Sequence, residues 1–349
     1  WAKGPFELAN RIGIDVARSM AADYSELANF PRPKAWERDG KFDFNYVDLQ
    51  VDGDIATITI NRPEAMNALN ETVVGQLGNA IDMANSNEDV ATIVLDGAGK
   101  AFVAGADVKF FVDKIKADSF PDIYDFTADG HVVLNKLEDS SKTTIALTTG
   151  LSLGGGLELA LSCDYRIGTR KTQFRFPETS IGIFPGLGGT QRPARISGIP
   201  AARWAVLAGN FMDSQTAADL GLVTDLVDVT EVDSTINKLS KLGKPAEKYP
   251  GTPANTDSPV VKFANSFYSD ENLLSLIEGN CPEGFDSEDK LVARQLRSLS
   301  RTAPIALQMA SDLIDAAAET SLKQGLSQEL DNLEKIFSTS DALEGLSAL

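Results

Sequence analysis

The sequence predicts a mixed α/β fold built as a spiral of repeated ββα units, and three observations carry that reading. Apolar and polar residues alternate over 47–51 and again over 56–60, the period of a half-buried strand. Twice, over 100–111 and 143–161, an extended apolar run passes through glycine into a run with helical spacing. Short strand-like runs then return at 164–168 and 172–176. Strands, helix, strand, turn, helix, strand, turn, helix and strands is the order such a spiral requires.

In chain order, the sequence begins at Trp1 without an initiator methionine and is expected to be a piece of a longer protein. Residues 3–30 set Phe6, Ile12, Val16 and Met20 at helical spacing, and Pro31, Pro33 and the charged stretch 37–43 read as a linker. Val47, Leu49 and Val51 then face Ala56, Ile58 and Ile60 across Asp52-Gly53, a hairpin by its turn chemistry, which Asn61-Arg62-Pro63 ends. Asn70 is suited to cap a helix whose apolar face is Val73, Val74, Leu77, Ala80, Ile81 and Ala84. A buried strand over 91–95, the 100–111 segment, a helix over 130–137 and a strand over 143–147 follow.

Gly154, Gly155 and Gly156 then lead into LELALSC, whose Leu157, Leu159 and Leu161 leave room for one carboxylate, Glu158. Without a Cβ the backbone can turn sharply and approach a ligand, and the opening N–H groups of the new helix point outward at the positive end of its dipole. That is a site for a developing oxyanion. The same glycines would equally serve close helix packing, with Glu158 on a solvated edge.

Composition narrows the class. With 349 residues, 43% hydrophobic and 23% charged, the chain reads as an ordinary soluble globular protein of about two domains. Its 50 acidic against 32 basic residues give a net charge of −18, which disfavours nucleic acid as a partner. The longest uncharged run, 143–157, is too short and glycine-rich to span a bilayer, so no membrane partner is expected, and no secretory signal is visible. Only Cys163 and Cys281 are present, and Cys163 lies in an apolar helical pattern, which suits a reducing cytoplasm better than a disulfide framework.

NRPEAMNAL, KAFVAGADVK, GLSLGGGLELALSCDYRIG, FPETSIGIFPGLGGTQRPARISG and AADLGLVTDLV, in that order, resemble the crotonase superfamily of enoyl-CoA hydratases and isomerases. The likeness runs from Tyr46 to Val227 and more loosely over 298–349. It implies a crotonase-type spiral with a C-terminal helical trimerisation segment, its helices over 303–317 and 322–337, and hence a homotrimer or hexamer. It implies an oxyanion hole made by the N–H groups of Ala106 and Gly155, with Glu158 and Glu178 as the acid–base pair. Hydratases of the family keep a glutamate at both places, whereas many of its isomerases and hydrolases keep one.

For the coenzyme A part the resemblance implies Ala65, Met66, Ala104, Asp107, Val108 and Lys109, with Gly186 helping to seat the water. Lys109 reads equally as a phosphate contact or a surface lysine. The acyl-CoA thioester is the substrate; no metal and no cofactor is implied. His131, the sole histidine, reads as structural. Thr149 and Ser152 stand where the family usually has asparagine and alanine, and the chain ends at EGLSAL, where relatives usually continue with basic residues.

GPFELANRIGIDVA resembles the C-terminal helical domain of 3-hydroxyacyl-CoA dehydrogenases. The organisation expected is therefore a dehydrogenase remnant with linker over 1–44, covalently joined to a dehydrogenase domain in the full protein. A crotonase core over 45–232, a polar insertion over 233–290 and a helical segment over 291–349 complete it. The activity expected is hydration of trans-2-enoyl-CoA. The alternatives are a Δ3,Δ2-enoyl-CoA isomerase and an idle crotonase-fold scaffold.

Overall fold

The computed structural model describes residues 5–31, 34, 42 and 44–349. It divides into two units, Trp1–Asn45 and Tyr46–Leu349. In the first, the helices Pro5–Ile12 and Ile14–Leu27 break at Gly13, and Asn10 bonds the backbone of Phe42 in both directions at 2.7 Å. Ala9, Ala17 and Phe42 form its small core. The linker expected at Pro33 and over 37–43 lies outside the described residues, Phe42 excepted, as do residues 3 and 4.

In the second unit the hairpin forms as the alternation requires. β1 (Val47–Asp52) and β2 (Ile55–Ile60) pair antiparallel, closing with Asp52 opposite Ile55. Asn70 caps the helix Glu71–Ser86 by accepting the Val73 N–H at 2.9 Å, and all six apolar positions expected on that helix are buried. β3 (Thr92–Gly97), β5 (Thr143–Thr148), β7 (Tyr165–Gly168) and β10 (Asp225–Leu226) extend the hairpin in parallel, in the order β1-β2-β3-β5-β7-β10. A second sheet takes β4 (Ala101–Ala104), β6 (Leu151–Leu153), β8 (Gln173–Arg175) and β9 (Met212–Asp213) in that order. The pairs β3/β4, β5/β6 and β7/β8 each give one strand to each sheet, and this alternation is the spiral.

The helix expected over 130–137 runs from Phe120 to Glu138. Gly130 is not its start but a mid-helix close approach, where a Cβ would lie 2.6 Å from Leu187 Cδ2. The stretch 233–290 contains the helices Val232–Leu242, Pro259–Phe267 and Asp270–Ile277, with no regular element over 243–258. It joins the main core through Val261, Ala264, Phe267 and Tyr268. The C-terminal helices Pro304–Ala316, Leu322–Asp331, Leu333–Phe337 and Ser340–Ser347 pack on this chain's own core, where Leu333, Ile336 and Phe337 are buried. The last of them lies directly on the turn Glu178–Ile181: a Cβ at Gly182 would meet the Asp341 carbonyl oxygen at 2.3 Å.

Candidate active site

β4 and β6 are parallel neighbours, Ala104 beside Leu153, so the segments that leave them emerge side by side at one cavity of about 280 Å3. After β4 come Gly105 and Ala106; after β6 come Gly154 and Gly155. Ala106 bridges Leu69, and the groups that bond Leu69 are the Gly105 carbonyl at 2.9 Å and the Asp107 N–H at 2.8 Å. The Ala106 N–H therefore faces away from Leu69. Gly155 opens the helix Gly155–Leu161, whose first N–H groups have no acceptor within the helix. Among the described residues neither N–H has a hydrogen-bond acceptor, and both residues line the cavity.

The helix can start here for two reasons. Gly154 adopts φ 44°, and a Cβ at Gly156 would lie 2.0 Å from the Val103 carbonyl oxygen, so only glycine lets β4 and the helix approach. Glu158, in the first turn, is 2% exposed. Its Oε1 accepts the N–H of Leu187 at 2.7 Å and of Gly189 at 2.6 Å. Burial pushes this carboxyl up to about 7, while the two N–H donors and the Arg192 charge favour its ionised form.

Glu178 begins the turn that follows β8, the strand beside β6, and is 8% exposed. A Cβ at Gly154 would fall 2.0 Å from its Oε1, so the carboxyl fills space that only glycine leaves open. Among the described residues its Oε2 has no hydrogen-bond partner. Burial, and next the charge of Glu158, hold this carboxyl well above the ordinary range. The pair is thus divided, with Glu158 favoured as carboxylate and Glu178 as acid.

The loop 186–190, which holds Glu158, is itself held. His131 Nε2 lies 2.7 Å from the Gly186 carbonyl; burial keeps the imidazole down at about 4, so it is neutral and donates. Arg192 Nη1 donates to the Leu187 carbonyl at 2.9 Å. Glu329 accepts the Gly188 N–H at 2.7 Å, the Thr190 N–H at 3.1 Å and the Thr190 hydroxyl. The rest of the cavity wall is apolar, and Phe111 stacks on Phe337 with centroids 5.1 Å apart and planes 13° apart.

Of the residues singled out from sequence, Ala104, Ala106, Val108, Gly155, Glu158, Glu178 and Gly186 come together around this cavity. Ala65, Met66, Asp107 and Lys109 do not line it. Met66 is exposed beside β4, where its carbonyl accepts the Ala104 N–H at 3.0 Å. Asp107 pairs with Arg62 at 3.1 Å, and Lys109 is exposed. Sequence reasoning missed Glu329 and the lining residues Leu333 and Phe337. Glu329 had a signal: it lies between Leu326 and Leu333 at helical spacing, a carboxylate on an apolar face.

Two free N–H groups able to hold an anionic oxygen, beside one carboxylate and one carboxylic acid, can move protons at carbons activated by that oxygen. A family model described as enoyl-CoA hydratase/isomerase matches residues 55–349. The chain belongs to the enoyl-CoA hydratase/isomerase family. Among relatives, a probable enoyl-CoA hydratase of Bacillus subtilis is 34% identical over 246 residues, 70% of this chain and 92% of that protein. A crotonyl-CoA hydratase of Syntrophomonas wolfei is 35% identical over 193 residues, 55% of this chain and 73% of its own. An enoyl-CoA hydratase structure from Rhodobacter sphaeroides superposes with a TM-score of 0.74 at 24% identity, covering 87% of this chain and 89% of that one. The α/β spiral is the fold of this family.

Proposed function

We propose that this chain is an enoyl-CoA hydratase, a lyase that adds water across trans-2-enoyl-CoA to give 3-hydroxyacyl-CoA. The observation that carries the reading is that both buried carboxyls, Glu158 and Glu178, line one apolar cavity with the free N–H groups of Ala106 and Gly155. The thioester oxygen accepts those two N–H groups, so negative charge can build on it as water adds. Glu158, held as carboxylate by Leu187 and Gly189, takes a proton from the water that attacks C3. Glu178, held as the acid, gives its proton to C2. The thioester enolate between the two steps rests on the oxyanion donors. Ala104, Val108 and Gly186 border the bound thioester, while Ala65, Met66, Asp107 and Lys109 serve the more distant part of coenzyme A.

Relatives named short-chain-enoyl-CoA hydratase (Clostridium acetobutylicum, 36% identical) and crotonyl-CoA hydratase support a short enoyl substrate. Residues 1–44 are read as the end of a 3-hydroxyacyl-CoA dehydrogenase, which would oxidise the hydration product. Val16, Met20, Tyr24 and Leu27 are exposed on the helix Ile14–Leu27, the kind of apolar surface such a remnant would present. A cytoplasmic homotrimer or hexamer completes this reading, which needs neither metal nor cofactor.

The competing activity is Δ3,Δ2 isomerisation, which one carboxyl can perform by carrying a proton between C2 and C4. The test assays Glu158→Gln and Glu178→Gln for crotonyl-CoA hydration and for 3-enoyl-CoA isomerisation. A hydratase loses hydration in both variants by roughly 100-fold to 10,000-fold, the worth of a positioned acid or base. Near-wild-type hydration in Glu158→Gln, with isomerisation lost in only one variant, would replace the hydratase reading with the isomerase.

A further inference from the structure

The four N–H groups of residues 187–190 face two carboxylates in strict alternation. Leu187 and Gly189 donate to Glu158 Oε1 at 2.7 and 2.6 Å; Gly188 and Thr190 donate to Glu329 at 2.7 and 3.1 Å. Glu329 is 0% exposed and comes from a different part of the chain, the helix Leu322–Asp331. The Thr190 hydroxyl also donates to it, an orientation fixed because the same hydroxyl oxygen accepts from Gln191 Nε2 at 2.9 Å.

We infer that Glu329 is a positioning residue for the reaction: it clamps the far side of the loop so that the near side holds Glu158 in place. This rests on the reading of Glu158 as the group that activates water.

Burial, and next the charge of Glu158, push the Glu329 carboxyl up to about 8, while its loop donors, the Thr190 hydroxyl and the N–H groups of Gly188 and Thr190, favour the ionised form. A leucine there would pack without the cost of burying a polar group. Among the described residues, the polar contacts within hydrogen-bond distance of the Glu329 oxygens all come from the loop. Its other polar neighbour, His131 Nε2, is 3.8 Å away and directs its proton to the Gly186 carbonyl. Successive peptide planes of one loop are thus pinned from opposite sides. Freeing Gly188 and Thr190 would let the intervening planes rotate and loosen the N–H groups of Leu187 and Gly189. Displacements of an ångström in a reacting group are enough to cost about 100-fold in rate.

Glu329→Gln keeps the shape but turns one acceptor into a donor that faces an N–H. Crotonyl-CoA hydration by this variant should fall roughly 10-fold to 100-fold in kcat with KM little changed, because the loss lies in transition-state geometry and not in uniform binding. Placed on Glu158→Gln, the same substitution should add less than about 3-fold, since its target is already gone. A purely structural role gives a loss that multiplies with that of Glu158→Gln, or one that appears in KM, and either result overturns the inference. Thr190→Val removes one donor to Glu329 without touching the loop backbone. It should lower kcat several-fold in a protein that still folds, and it carries the test if Glu329→Gln does not fold; full kcat in Thr190→Val would then refute the clamp. Wild-type kcat in Glu329→Gln beside an inactive Glu158→Gln overturns this inference alone, whereas an active Glu158→Gln removes the reading beneath it as well.

Discussion

Glu158 accepts two backbone N–H groups at a single oxygen, whereas Glu178 leaves Oε2 without a partner among the described residues in the wall of the same cavity. Donors stabilise a carboxylate, and a dry wall beside another negative charge stabilises the acid, so chemically identical side chains favour opposite protonation states, as the proposed roles require. The pH dependence follows in sign. The base works ionised, so kcat/KM should rise with pH up to the region of about 7 that burial sets for Glu158. The acid works protonated, so activity should fall again as pH climbs through the range to which burial and the charge of Glu158 raise Glu178. The limbs of this bell belong to the interacting pair. In Glu178→Gln the residual activity should keep the acidic limb and lose the alkaline one, measured as kcat/KM against pH. An alkaline limb that survives in that variant would mean another group is the acid. That Glu158 and Glu178 would stand at one site was legible from their sequence contexts. Glu329 was not, because a helix assigned to subunit contacts gave no reason to ask what its one inward carboxylate touches.

At the scale of elements, the site depends on a strand, a glycine and a helix start, and the pattern of each reads differently in sequence. The hairpin β1–β2 and the helix Glu71–Ser86 were legible because six or more residues display a full period. The second sheet was not: β6 and β8 have 3 residues and β9 has 2, too few for alternation to show. Yet β6 carries Gly154 and Gly155 to their places beside Ala106. Gly154 is the sharper probe of this arrangement. A methyl group there meets Glu178 Oε1 at 2.0 Å in a backbone conformation with φ 44°, so Gly154→Ala should displace the acid and lose roughly 100-fold or more in turnover. Gly155→Pro tests the donor itself. Proline is tolerated at a first helical position, so the folded variant should lose roughly 100-fold to 1000-fold through the missing N–H. Circular dichroism confirms folding; unchanged turnover in folded Gly154→Ala would contradict the placement of the acid, and in folded Gly155→Pro the oxyanion geometry.

For the whole molecule, the spiral matters because it sets residues distant in sequence side by side at one end of the second sheet. β4, β6 and β8 are successive parallel neighbours, and Ala106, Gly155 and Glu178 follow them in turn. The C-terminal helices then close the cavity with Leu333 and Phe337, a role that periodicity could not reveal because an apolar helix face looks the same against its own core or a neighbour's. The central claim is that Glu158 and Glu178, brought from separate turns of the spiral, act on one water and one substrate. A double-mutant cycle of crotonyl-CoA hydration tests it most directly, comparing the wild type, Glu158→Gln, Glu178→Gln and the double variant. Each single should lose roughly 100-fold to 10,000-fold, and the double should be only slightly worse than the weaker single, since either carboxyl alone has little left to do. Losses that multiply in the double variant would show that the two carboxyls act independently and would contradict the shared site.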